Sequence, residues 1–211
     1  MTDYTLSRVS RAALALCLAT MPPALALAQA SRTRVDKVLL TRDLDGDGKV
    51  DYVVRESSDT TSGAPRPARL AVYVGVKPKT AAPAWASLWD PAYGSDVRLA
   101  QAIRVDTSAT LLELNLPADD VLGIRVLLVD RRAARELVSH AVDMEFGFFR
   151  LRQTAGRIAI DATPQNLIVD GKDVEVSLHC RKGRHVEAQL RFDRATRAFV
   201  AMSPRCVRDR S

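Results

Sequence analysis

Apolar and β-branched residues recur along the chain in short bursts, most of them separated by turn-forming residues. The bursts fall at 35–40, 50–54, 70–76, 97–105, 109–116, 121–129, 174–180, 185–192 and 197–202. Many short extended segments of this kind predict an all-β protein built as an antiparallel sandwich or partly open barrel. Segment 131–142 fits two descriptions. It is rich in helix-favouring Ala, Arg, Glu and Leu, yet it follows a strong strand pattern without a helix cap, so a short helix and a strand both stay open there. Stretches 57–67 (SSDTTSGAPRP) and 77–83 (KPKTAAP) read as connections. No tandem repeat is present, which argues against a solenoid or propeller.

Two C-terminal bursts alternate cleanly. Val174, Val176, Leu178 and Cys180 form one inward set, and Val186, Ala188, Leu190 and Phe192 form the other. A hairpin through Lys182-Gly183-Arg184 would bring these sets face to face, placing Cys180 opposite Val186 and exposed His179 opposite Glu187.

The first thirty residues have a different pattern. Arg8 and Arg11 precede an apolar run at 12–21, then come Pro22-Pro23 and, before Ser31, Ala28-Gln29-Ala30. Charged start, apolar core, helix break and small residues at a cleavage point are the parts of a secretory signal, with cleavage expected after Ala30. The prolines interrupt the apolar stretch below the ~20 residues a spanning helix needs, and no later segment supplies one. Leu16 is too bulky for the residue preceding a lipidated Cys17. The expected location is periplasmic or secreted. The expected organisation is a signal at 1–30, a loop-and-hairpin region at 31–95 and a sandwich region with C-terminal hairpins at 96–211, the last two able to form one domain.

Export changes the reading of the cysteines. With Cys17 removed, Cys180 and Cys206 remain, and an oxidising compartment favours a disulfide between them. His179, Cys180, His185 and Cys206 are also zinc-type ligands, but no C-x-x-C pair accompanies them. The chain has 31 basic and 25 acidic residues, a net charge of +6 that falls by one with the signal, to +5. That mild basicity fits solubility or contact with anionic envelope polymers, and no nucleic-acid-binding signature accompanies it.

Candidate chemistry concentrates in Asp43-Leu44-Asp45-Gly46-Asp47-Gly48-Lys49-Val50-Asp51, between two β-type segments. Carboxylates at alternate positions of a tight loop converge on one centre, and hard oxygens in that number suit calcium better than magnesium, which demands a smaller octahedral shell. The expected ligands are the side chains of Asp43, Asp45, Asp47 and Asp51 and the backbone carbonyl of Lys49, with water completing the shell. Crowded carboxylates repel one another, so an ion removes a penalty. An EF-hand does not fit, because position twelve is Val54 and the flanks are strand-like.

This segment, DLDGDGKVDYVV followed by the strand Leu70-Ala71-Val72-Tyr73-Val74, resembles the FG-GAP and VCBS families of extracellular repeats over residues 35–76. The resemblance implies a structural Ca2+ ion in a β-hairpin loop and carries ligand roles onto Asp43, Asp45, Asp47, Lys49 and Asp51. Those families stack several copies, whereas this chain has one, so neither a propeller nor adhesion follows.

Other clusters have plainer readings. Trp85, Trp89 and Tyr93 could form a sugar-binding shelf, but a chain with so few aromatics needs them for packing. Phe146-Gly147-Phe148-Phe149 reads as core with a bulge or turn at Gly147. Asp119-Asp120, or Asp170 with Asp173, could supply the carboxylate pair of a glycan-directed hydrolase, though Asp170-Gly171 looks like a hairpin turn. No catalytic residue is assignable. The sequence therefore points to an exported, non-enzymatic binding or accessory module, with an envelope glycan and another envelope protein as candidate partners and neither assigned. A secreted hydrolase and an envelope inhibitor or assembly partner are the alternatives.

Overall fold

The computed structural model describes residues 33–58, 68–89, 97–118, 120–143, 145 and 147–208. The signal-like segment 1–30, most of the connection at 57–67, and Tyr93, Asp119 and Phe146 lie outside them. Arg32–Ser211 forms one compact unit.

The unit is all-β and antiparallel, and none of its sheets closes into a barrel. A first sheet is the meander β1 (Thr33–Arg42), β2 (Asp51–Ser58), β3 (Ala68–Tyr73) and β4 (Trp85–Trp89). Six strands make the second: β5 (Arg98–Asp106), β6 (Ala109–Ala118), β7 (Val121–Asp130), β8 (Ala133–Asp143), β11 (Leu167–Val169) and β12 (Lys172–Asp173), with spatial order β12-β11-β8-β7-β6-β5. The third contains β9 (Phe149–Thr154), β10 (Arg157–Ala162), β13 (Arg184–Asp193) and β14 (Ala198–Ala201), and β15 (Arg205–Arg208) also pairs with β13.

Two hydrophobic cores share the middle sheet, which explains why β6 and β7 carry apolar residues at both odd and even positions. Leu112, Leu114, Leu127 and Val129 pack with Val53, Leu70 and Val72 of the first sheet. Leu111, Val126 and Leu128 pack instead with Ile158, Ile160, Leu190 and Phe192 of the third. On the other side of the first sheet, buried Glu56 accepts hydrogen bonds from Arg69 Nε and Tyr73 Oη, both at 2.6 Å. Burial and the Glu56 carboxylate raise the Tyr73 hydroxyl to about 12.

Segment 131–142 contains no helix. Arg131 and Arg132, with φ of 45° and 63°, make a two-residue turn from β7 into β8. The register shifts between Val126 and Leu127, so that Leu137 and Val138 are both buried at a bulge and the period-two pattern is broken. Asp170-Gly171 is the expected tight turn, between β11 and β12.

The predicted 174–180 strand does not form. Residues 174–183 are irregular, and the edge of β13 that they were expected to occupy is paired with β15. Val186 consequently lies opposite Cys206 rather than Cys180, and Glu187 lies opposite Arg205 rather than His179. His179 is exposed and sits 3.2 Å from the Ser177 carbonyl. The Cys180–Cys206 disulfide is present, spanning a Cα separation of 5.6 Å and tying the irregular segment to β15.

His140 on β8 is fully buried, with Nδ1 3.2 Å from the Asn166 carbonyl and Nε2 3.3 Å from Thr163 Oγ1. Burial lowers its pKa below the ordinary value, and the nearby Asn166 and Phe148 carbonyls offset this only in part. A depressed folded-state value means that the unfolded chain binds the proton more readily. The contribution of His140 is thus complete above about pH 6.5 and is lost as pH falls through the folded value. Urea midpoints measured from pH 7.5 down to pH 5 should fall more steeply for the wild type than for His140→Gln; parallel lines would refute this assignment.

Candidate metal centre

The loop between β1 and β2 organises itself through its own carboxylates. Asp43 Oδ1 and Oδ2 accept from the N–H groups of Gly46 (2.6 Å) and Gly48 (3.0 Å). Asp45 Oδ1 accepts from Asp47 N (3.1 Å), and Asp47 Oδ1 from Lys49 N (2.8 Å). Asp51, at the start of β2 and fully buried, receives Leu44 N at 2.6 Å and Gly75 N at 2.7 Å. Aspartate at alternate positions suits this pattern, because a short side-chain oxygen readily bonds a backbone N–H two residues on.

Two hairpin turns of the second sheet grip the loop. Arg104 on β5 donates through Nη1 to the carbonyls of Asp43 (3.2 Å) and Leu44 (2.8 Å), and through Nη2 to the carbonyl of Thr107 (2.6 Å) in the β5–β6 turn. Thr110 Oγ1 donates to the Leu44 carbonyl at 2.6 Å. From the β7–β8 turn, Arg132 N donates to Asp45 Oδ2 at 2.6 Å and Arg132 Nε to Asp47 Oδ2 at 2.9 Å. Leu44 itself is fully buried in the core between the first two sheets. The loop is therefore a joint between those sheets as well as a turn.

Asp43, Asp45 and Asp51 come together, each offering an oxygen within 4.8 Å of the others. Asp47 stands apart from that trio and pairs with Arg132. The Lys49 N–H bond lowers the Asp47 pKa, with Arg132 and Lys49 adding to the effect. Asp51 goes the opposite way. Burial, together with the charges of Asp45 and Asp43, raises it despite the two N–H groups that it accepts. Each carboxylate oxygen has more than one lone pair, so an oxygen already bonded to an N–H can still face a cation. The trio has the hard-oxygen chemistry of a divalent-cation site.

Arg104, Thr110, Arg132 and Gly75 all lie far along the chain from the loop, and only the fold brings them to it. The other sequence candidates fall elsewhere. Trp85 packs against the core between the first two sheets, and Trp89 lies in the same strand, so helical spacing does not apply to them. Phe149 packs against the core between the second and third sheets, and Phe148 lies edge-on to His185 at 5.4 Å. A Cβ at Gly147 would sit 2.7 Å from the Asp143 carbonyl oxygen, so that close approach requires glycine. Comparison of the chain with protein-family models, curated proteins and solved structures gives no match.

Proposed function

We propose that the protein is an exported, non-enzymatic binding or accessory module of the cell envelope, and that a calcium ion in the 43–51 loop locks its first sheet to its second. The observation that carries this reading is the convergence of Asp43, Asp45 and Asp51 within 4.8 Å around a loop gripped by two distant turns. Buried Asp51 beside two like charges has a deficit that a divalent ion would offset. The ion's role is structural, because the surrounding groups are strand and turn residues engaged with one another. Among the described residues, buried Asp161 is bonded by Arg152, Glu187 by Arg205, Glu56 by Arg69 and Tyr73, and Glu113 by Gln101.

The experiment is thermal unfolding of the purified protein in excess calcium and in EDTA. Calcium at a hundredfold excess over Kd should add about 2.7 kcal/mol of stability. The joint substitution Asp45→Ala and Asp47→Ala should abolish the difference. Identical melts with calcium and with EDTA would reject the reading.

A further inference from the structure

We infer that the outer face of the third sheet is a docking surface for an acidic polysaccharide whose charges are carboxylates. This surface is separate from the calcium loop, and the proposal does not depend on that ion.

Strand alternation sets the face. Leu151, Ile158, Ile160, Leu190 and Phe192 point into the core, so Arg150, Arg152, Arg157 and Arg191 project from the opposite side. The register then builds a grid. Ala159 lies between Arg152 on β9 and Arg191 on β13, and Asp161 lies between Arg150 and Gln189. Side chains two apart on a strand are roughly 7 Å apart and neighbouring strands about 4.8 Å apart, so the guanidinium groups are spread in two dimensions around Ala159.

Two of the cations on this face are already satisfied. Asp161 accepts from Arg152 Nε at 2.6 Å and from Gln189 at 2.9 Å, and Arg205 pairs with Glu187. Arg150, Arg157 and Arg191 are exposed, and no described carboxylate pairs with any of them. With outward Asp193 on β13 counted, the arginines of this face still outnumber its carboxylates Asp161, Glu187 and Asp193, so the face carries net positive charge and is complementary to a polyanion. A planar guanidinium matches a planar carboxylate, the pairing the face already makes internally.

A polysaccharide fits better than the other polyanions. Outward positions on β9, β10 and the adjoining part of β13 are arginine, threonine, alanine, aspartate and glutamine, with no aromatic ring for unpaired bases to stack on, and exposed Val200 and Met202 at the β14 edge are too few to anchor a bilayer.

The test is titration of the full chain with polygalacturonate at low and at physiological ionic strength. Single-stranded DNA and anionic phosphatidylglycerol vesicles serve as competing arms. Polygalacturonate should bind, more weakly as salt rises. Joint Arg150→Glu, Arg157→Glu and Arg191→Glu should weaken binding by about 30-fold. The same charge change at exposed Lys77, Lys79 and Arg98 should cost under about 3-fold. Should the triple variant fail to match the wild-type melt, Arg150→Gln with Arg191→Gln replaces it, and a loss of about 10-fold is expected. The inference is overturned by absent polygalacturonate binding at low salt, by equal losses in the two charge-reversal sets, or by tighter binding to DNA or vesicles. None of these outcomes bears on the calcium melt.

Discussion

Gly46→Ala should destabilise the protein by about 2 to 4 kcal/mol, as measured by urea denaturation, combining a left-handed backbone with overpacking. Gly46 has φ of 76°, and a Cβ built there would lie 1.9 Å from the Thr107 carbonyl oxygen. That oxygen belongs to backbone and is held by Arg104 Nη2, so it cannot swing aside cheaply. The loop would have to lift away from the β5–β6 turn, taking Asp43 and Asp45 with it. Gly48 supplies the control. Its φ is 80°, but a Cβ there meets nothing within 4 Å, so Gly48→Ala should cost only about 1 kcal/mol. Equal costs at the two positions would mean that the contact with Thr107 contributes nothing.

Removing the Cys180–Cys206 bridge should cost up to about 3.5 kcal/mol, the chain-entropy value for a sequence separation of 26. The structural consequence should be local. β15 pairs only with β13 over Arg184–Glu187, and the segment before β13 has no ladder of its own, so both depend on the bridge for their position. Arg205, next to Cys206, neutralises buried Glu187, and freeing the strand would leave that carboxylate without its partner. Hydrogen exchange on Cys180→Ser with Cys206→Ser should show lost protection at 205–208, while β10 and the centre of β13 stay protected. An unchanged urea midpoint in the double variant would contradict this.

The strands were legible wherever burial follows one period. Both β6 and β7 announce themselves because two cores clamp the middle sheet and apolar residues face both of them. β8 was ambiguous for a physical reason: the bulge at Leu137 places two successive residues inside, and the turn before it uses Arg131-Arg132 where asparagine and glycine usually supply positive φ. The short strands β9 and β10 carry a weak strand signal because half of their outward positions are arginine and their turn is Ala155-Gly156. In 174–180 the alternation was real but misleading. Leu178 is exposed, and β15, which carries almost no strand signal of its own, takes the edge.

The acidic loop at 43–51 was legible to a different extent. Spacing alone indicated which carboxylates share a turn, and three of the four chosen aspartates do converge. The fourth, Asp47, is claimed by Arg132, a residue 85 positions away whose approach only the packing of β7 and β8 dictates. Burial of Leu44 and the grip of Arg104 also depend on tertiary structure, so the loop's role as a joint between sheets was not visible in the sequence.

The most direct test of the proposed calcium site is an electron-density map from crystals grown in calcium. A peak bonded by oxygens of Asp43, Asp45 and Asp51 at about 2.3 to 2.6 Å is the expected result. Ordered water alone among those oxygens, at calcium concentrations that saturate ordinary extracellular sites, would contradict the account.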